Sequence, residues 1–534
     1  MTSSSAPFDP SARETGSAPL IRPDDAENRR LVSLVHPPTW RNPEPKGRYH
    51  LVVVGAGTAG LVSAAGAAGL GARVALVERH LMGGDCLNVG CVPSKGLIAP
   101  ARAWHAARHA ARDFHGPDTS GDGDFASVMA RMRRLRADIA SVDSAARFQS
   151  LGVDVFFGDA VFTGPDTIHV DGVPLRFRRG VIATGARAAA PAIAGLSAVP
   201  YLTNETLFEL TERPRHLLVV GGGPIGCEMA QAFARLGSRV TLINRGPRLL
   251  PRDDADAATL VHRSLSADGV QLLLGVDIQH AGRDGGEISL DLAPRASARD
   301  VAGAPVAPHA AETRSVTGSH LLIAVGRAPN TEGLGLDAAG VAYTAAGVTV
   351  DDRFRTSNSR IYACGDVASP LQFTHLADFQ ARAVIQNALF YGRKKGSDLV
   401  VPWTTYTSPE VAQVGHTEAS AREAGLDVQT FHVSLGEVDR AILDGETDGF
   451  ARVHVQNGTD RIVGATIVAE HAGDLLAEVT LCMSNRIGLA AIGATMHPYP
   501  TQGDALRRCA DLWRKTKLTP TVKSVFAAWF RWTG

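Results

Sequence analysis

Two cysteines five positions apart, Cys86 and Cys91 in GGDCLNVGCVPSK, are the residues in this chain best suited to redox chemistry. On a helix start opened by glycines, that spacing puts them about one and a half turns apart, near enough to bridge if the turn is distorted. A helix N-terminus and the nearby Lys95 both favour a thiolate there. The plainer alternative is a pair of buried, inert thiols. Structural zinc is disfavoured, because it needs four ligands and no second cysteine pair exists among the six Cys.

The elements that would hold this pair are read from the flanking segments. The run LVVVGAGTAG carries Gly55, Gly57 and Gly60 at the spacing for a tight turn, close approach to a pyrophosphate and close helix packing. The following VALVE ends in Glu78, an acid positioned to accept hydrogen bonds from a ribose diol. A second run, LLVVGGGPIGCE, repeats the pattern with Gly221, Gly223 and Gly226. Its next strand ends in Asn244 rather than an acid, and Arg245 and Arg248 follow, so NADPH is favoured over NADH. Solvated loop arginines are the alternative.

Length and composition set the frame. A chain of 534 residues exceeds one hydrophobic core and predicts several domains. Lys plus Arg and Asp plus Glu balance at 54 each, which excludes a global basic field for nucleic acid and points to a small partner. The polar N-terminus lacks an apolar secretion segment and the cysteines are sparse, so a cytoplasmic location is expected. The uncharged stretch Leu51 to Ala72 fits a membrane window by length, but its six glycines and aliphatic start predict a strand, turn and helix instead.

Along the chain, residues 1–47 are rich in Pro, Ser, Arg and Asp and predict a flexible extension. The stretch from Asp291 to Arg314 is Ala/Pro-rich and predicts a long surface loop. From about Pro402, alternating strands such as FARVHVQN and RIVGATIVA predict a third, α+β unit. Residues 519–534 form an aromatic tail with Phe526, Trp529, Phe530 and Trp532, suited either to dimer packing or to weak contact with a membrane surface.

Taken together, the dithiol segment, Ala183-Thr184-Gly185, the GRAPN run from Gly326 to Asn330, IYACGDVA with Gly365 and Asp366, and TSPEVAQVG from Thr407 to Gly415 resemble the pyridine nucleotide–disulfide oxidoreductases over roughly residues 48–515. This is the family of glutathione reductase, lipoamide dehydrogenase and mercuric reductase. The resemblance implies an α/β fold of two doubly wound, Rossmann-like nucleotide-binding domains plus a C-terminal α+β dimerisation domain. FAD would bind residues 48–195 and 326–399, NAD(P)H residues 196–325, and residues 400–518 would form the interface of a homodimer.

The resemblance also implies roles. Hydride would pass from NADPH to FAD and on to a Cys86–Cys91 disulfide, with Cys91 against the flavin and Cys86 attacking substrate. Lys95 and Glu228 match an ion pair near the flavin. Glu78 would meet the adenosine ribose and Asp366 the ribityl or phosphate region, with Thr184, Gly185, Gly326 and Gly365 among the cofactor-binding residues. No resident metal is implied.

Departures from the family pattern bear on substrate. Where disulfide reductases carry a His-Pro-Thr run and an orienting acid, HPYPTQGD places Tyr499 at the base and Asp504 at the acid, with His497 two residues upstream. An unperturbed phenol is a poor base at neutral pH. A tyrosine there resembles the mercuric reductase branch, in which a soft metal needs thiolate ligands more than proton transfer. The vicinal C-terminal cysteines usual in that branch are missing, leaving Cys509 as the one late thiol near the expected active site, either a third ligand or a buried structural cysteine. Asp85 stands where threonine is usual. The leading expectation is a mercuric-reductase-like enzyme acting on a soft metal ion or a thiol-bound oxidised substrate. The alternatives are a low-molecular-weight disulfide reductase and a flavin dithiol partner of a protein or membrane component.

Overall fold

The computed structural model describes residues 21–119, 121, 123–295 and 314–534. Aliphatic strands buried on both faces build a parallel sheet, in the order Val153–Phe157, Val74–Glu78, Arg48–Val54, Val173–Ile182, with Ile361–Ala363 beside the end of the last. Two further strands, Ala160–Gly164 and Thr167–Val170, extend it antiparallel. Helices Thr58–Gly69 and Thr374–Leu389 pack together on one face. The segment Leu51 to Ala72 is thus strand, glycine turn and helix. Among the described residues no helix is long and apolar enough to cross a membrane.

The second unit repeats the logic with four parallel strands, Gln271–Leu274, Arg239–Asn244, His216–Val220 and His320–Ile323. In both units the third loop glycine sits where the helix crosses its own strand end. A Cβ on Gly60 or Gly226 would lie 1.8 or 1.9 Å from the carbonyl oxygen of Gly55 or Gly221, so no other residue fits. Past Pro402, a five-stranded antiparallel sheet runs Pro402–Thr405, Glu410–Gly415, Ile462–Ala469, Phe450–Gln456, Val428–Ser434. Helices Ala472–Ser484 and Asp504–Thr516 cover it.

Two expectations about irregular segments are corrected. Residues 21–47 are not a loose extension, for Asp25 caps a helix, Ala26–Val35, whose Leu31 and Val35 are fully buried in the first unit's core. Asn28 accepts from the Arg136 guanidinium at 2.6 Å, Trp40 donates to the Val155 carbonyl, and Asn42 brackets Phe157 through both its backbone groups. Ile21, Val32, Leu34 and Trp40 pack against the same core, but a single ten-residue helix is too short to show a sustained period in the sequence; residues 1–20 lie outside the described residues. The Ala/Pro-rich stretch begins later than expected, since strand Glu287–Pro294 pairs on both sides before it. Residues 296–313, the rest of that stretch, lie outside the described residues.

Candidate functional site

The dithiol segment folds as two helices rather than one distorted start. Gly83 and Gly84, both with positive φ, open a single short helix, Gly84–Asn88, and Gly90 separates it from the long helix Cys91–Phe114. Gly84 lies directly on the first glycine loop, where a Cβ would come within 2.6 Å of the Gly57 Cα. The Asn88 amide ties the short helix down through the Met82 and Gly84 carbonyls, at 3.1 and 2.8 Å. Cys86 is thereby set beside Cys91 at the first position of the long helix.

Cys86 and Cys91 are both free cysteines, so each thiol can titrate. Cys91 is accessible from a cavity of about 1620 Å³ although protein encloses it on its other sides. The hydrogen bond from Cys86 brings the Cys91 thiol down to about 6. The Thr374 hydroxyl, 3.3 Å from its sulfur, and the Lys95 charge act in the same direction against burial. Cys86 moves up, first because it donates to Cys91 and then because it is buried. One thiolate at Cys91 and one thiol at Cys86 is therefore the state near neutral pH. The other four cysteines are buried with thiols pushed up by burial, Cys509 to about 12; Cys509 is fully enclosed and points its thiol at the Phe431 and Ala451 carbonyls, as a packed side chain does.

One turn along the same helix, the Lys95 ammonium pairs with Glu228 at 2.9 Å and lies 4.3 Å over the Tyr406 ring. Burial pulls Lys95 down, but the charge and hydrogen bond of Glu228 outweigh it and the net direction is up. The second oxygen of Glu228 accepts from the Tyr406 backbone N–H at 3.0 Å. This joins the helix of the second glycine loop, the dithiol helix and the C-terminal sheet at one point.

Asp85 has a structural explanation. Its carboxylate pairs with Arg327 at 3.0 Å and accepts from the Asn204 amide at 3.0 Å. Arg327 also donates to the Ala186 carbonyl and lies 3.5 Å from Asp366, whose carboxyl burial pushes up. Neutralised in this way, Asp85 opposes the Cys91 thiolate less than Lys95 supports it.

Gly57, Thr58, Ala59, Gly185, Gly326, Gly365 and Asp366 line the cavity that holds the cysteines, and so do Gly221, Gly223 and the loop from Asn244 to Arg248. Its volume exceeds the few hundred to roughly 1,000 Å³ usual for a single small ligand, as a site for two nucleotides must. No atom lies within 4 Å of where a Cβ would stand on Gly185, Gly223 or Gly326, which leaves the backbone open to a ligand. These residues fit FAD at the first loop and a pyridine nucleotide at the second. Thr184 faces away from the cavity and clamps Asn330 of the GRAPN run, donating to its carbonyl at 2.7 Å and accepting from its amide at 2.9 Å. Glu78 is buried, and its two oxygens accept from the Ala56 and His80 N–H groups at 2.7 Å, so its first task is to hold the glycine loop.

The arginine expectation divides. Arg245 is exposed on the cavity wall, whereas Arg248 donates to the Pro251 and Asp253 carbonyls at 2.7 and 3.0 Å and braces its own loop. Arg252 and Arg295 line the same cavity and were not found from sequence, since neither stands in a motif. Asn244 also works internally: it accepts from Gly222 N–H and donates to the Gly246 and Arg248 carbonyls. Thr374 and Arg327 were missed as well. Arg327 belongs to the GRAPN run, but Thr374 is 283 residues from Cys91 and only the fold joins them.

At the C-terminal end the expected pairing of Tyr499 with Asp504 is not made. The Tyr499 hydroxyl donates to Asp439 at 2.8 Å, and its phenol moves up because that carboxylate accepts its proton. Asp504 is held instead by Arg507 at 2.7 Å and Arg508 at 2.5 Å, since helical spacing brings those guanidinium groups closer. His497, in contrast, has an acid: its Nε2 lies 3.0 Å from Glu478, while Nδ1 meets the Thr495 carbonyl. None of the three lines the Cys86–Cys91 cavity of the same chain. Among the described residues no group of three or more His, Cys, Asp or Glu is arranged to hold a metal.

Comparison with known proteins agrees with this architecture. The family model for pyridine nucleotide-disulphide oxidoreductases matches residues 49–389, and the model for the dimerisation domain of the same family matches residues 401–510 and supports a homodimer. A mercuric reductase of Bacillus cereus is 34% identical over 91% of this chain and 75% of that protein. A dihydrolipoyl dehydrogenase of Thermus scotoductus is 32% identical over 88% of this chain and 98% of its own length. Among solved structures, the Cu(II) complex of the HOCl-induced flavoprotein disulfide reductase RclA from Escherichia coli is similar, with a TM-score of 0.75 and 27% identity over 86% of this chain and 98% of that one.

Proposed function

This chain belongs to the pyridine nucleotide-disulphide oxidoreductases, FAD-dependent enzymes that work with a pyridine nucleotide, and on that premise we propose that it uses NADPH to reduce a soft metal ion such as Hg(II), or a thiol-bound oxidised substrate, at Cys86 and Cys91. The carrying observation is the pair itself: Cys86 and Cys91, with the Lys95–Glu228 ion pair one turn along, in the cavity that the second glycine loop also lines. Bound FAD supplies the two-electron connection between nicotinamide and disulfide.

The residues of the chain account for the remaining requirements. A hydride equivalent delivered to the disulfide leaves one thiol and one thiolate, matching the Cys86 and Cys91 states. Lys95, fixed by Glu228, keeps a positive charge one turn from the thiolate. Thr374 donates to the same sulfur. Arg245, with Arg252 and Arg295 on the same wall, supplies the positive charge that a 2′-phosphate requires. Transfer of two electrons from the dithiol to Hg(II) then gives the disulfide, Hg(0) and one proton, which needs no acid from the protein.

A second reading is favoured by one observation. A disulfide substrate releases a thiolate that must be protonated, and His497 held by Glu478 is an imidazole oriented for that task. In a homodimer it would act across the interface. The test is NADPH oxidation by FAD-loaded protein with Hg(II), glutathione disulfide or a quinone as acceptor. Turnover with Hg(II) that H497N leaves unchanged is expected. Turnover with the disulfide alone, lost in H497N, would replace the first reading with the second, and failure of all three acceptors would refute both.

A further inference from the structure

The C-terminal helix Pro520–Thr533 has no part in the site described above, and among the described residues nothing covers it. Thr519 caps it by accepting from the Val522 N–H, and Pro520 occupies its first turn, so the helix is locally well defined. Yet Val525, Phe526, Trp529, Phe530 and Trp532 are all exposed, Trp532 at 78%. At 100° per residue these five and Val522 fall within an arc of about 160°, with Lys523, Ser524 and Arg531 on the remaining face. A 14-residue helix is about 21 Å long, too short to cross a hydrocarbon core of about 30 Å, so this element is built to lie along a surface.

Charge selects the partner. After Asp511 the chain contains no acid, but it has Arg514, Lys515, Lys517, Lys523 and Arg531. Arg514 pairs with Asp511, but Lys523 and Arg531 on the helix, with Lys515 and Lys517 just before it, would meet their like in a second copy of this segment, whereas an anionic surface complements them. The aromatic residues agree, because indole rings have an apolar body and a polar N–H that suit the boundary between headgroups and acyl chains. The preceding helix, Asp504–Thr516, is anchored on the C-terminal sheet by Ala505, Leu506, Cys509 and Ala510, so the aromatic helix is tethered to a rigid body. We infer that residues 519–534 form an interfacial anchor that docks the enzyme on anionic phospholipid bilayers.

The test is co-sedimentation of the full-length, FAD-loaded protein with vesicles of phosphatidylcholine alone or mixed with phosphatidylglycerol. Binding should occur on the mixed vesicles, fall steeply with added salt, and drop about tenfold or more in K523E/R531E and in W529S/F530S. NADPH oxidation should be unchanged in both variants. Equal binding to both vesicle types, or no binding to the mixed vesicles, would overturn the inference. Truncation before Thr519 that turns a dimer into a monomer, with no vesicle binding by the intact protein, would assign the helix to a second copy of the chain instead.

Discussion

Replacing Thr374 by valine isolates one contribution to the Cys91 thiolate while preserving side-chain volume. The Thr374 hydroxyl, 3.3 Å from the sulfur, stabilises the charged form, and Cys91 stands at about 6 with it in place. Hydrogen bonds to charged groups contribute about 1.5–3 kcal/mol, and exposure of Cys91 to the cavity together with a diffuse sulfur acceptor puts this one near the lower end. At about 1.4 kcal/mol per pKa unit, the loss should raise Cys91 by about one unit, to near 7. The assay is a pH titration of the long-wavelength thiolate-to-flavin absorbance of the two-electron-reduced enzyme. In the parent the band should develop with a midpoint near pH 6, and in T374V near pH 7. Since the valine cannot donate to either sulfur, the sign is fixed. A midpoint that stays put or falls would refute the assignment of Thr374 as a positioning residue for the thiolate.

Other perturbations test the rest of the site and its support. R245E should raise the KM for NADPH by about 10- to 100-fold relative to NADH, the loss of a charge-assisted phosphate contact, while R248A should change that ratio much less because its guanidinium braces the loop. R327M leaves Asp85 and Asp366 facing each other without their shared cation; it should lower stability by about 1–3 kcal/mol in denaturant melts and move the Cys91 midpoint upward. L31A should cost about 2–4 kcal/mol in the same melts, since Leu31 is fully buried, whereas a truly loose N-terminal segment would show no change.

Legibility in the sequence followed the range over which the physics acts. The glycine loops and the aliphatic strands are local patterns, and each stands where its spacing put it, whereas Cys86 and Cys91 come together across a break between two helices at Gly90 rather than along one distorted helix start. The ordered segment 21–47 gave little signal because its apolar side chains are confined to one ten-residue helix and to Ile21 and Trp40, with amide contacts between them and no long apolar period. Arg248 and Asp504 were misjudged for one reason: an ionisable side chain near a site satisfies its nearest partners first, here loop carbonyls and helical-neighbour arginines. The effect of Asp85 on the thiols could not be judged without Arg327, which reaches it from 242 residues away. Thr374 offered no local signal, because its relevance comes wholly from the helix start that the fold sets against Cys91.

The central claim is that Cys86 and Cys91 exchange two electrons with a pyridine nucleotide. The most direct measurement is anaerobic alkylation of air-oxidised, FAD-loaded protein before and after one equivalent of NADPH, with labelled cysteines located by peptide mass. Both residues should be protected beforehand and both labelled afterwards, with no change at the buried Cys227, Cys364, Cys482 and Cys509. Equal labelling of Cys86 and Cys91 before and after NADPH would contradict the account.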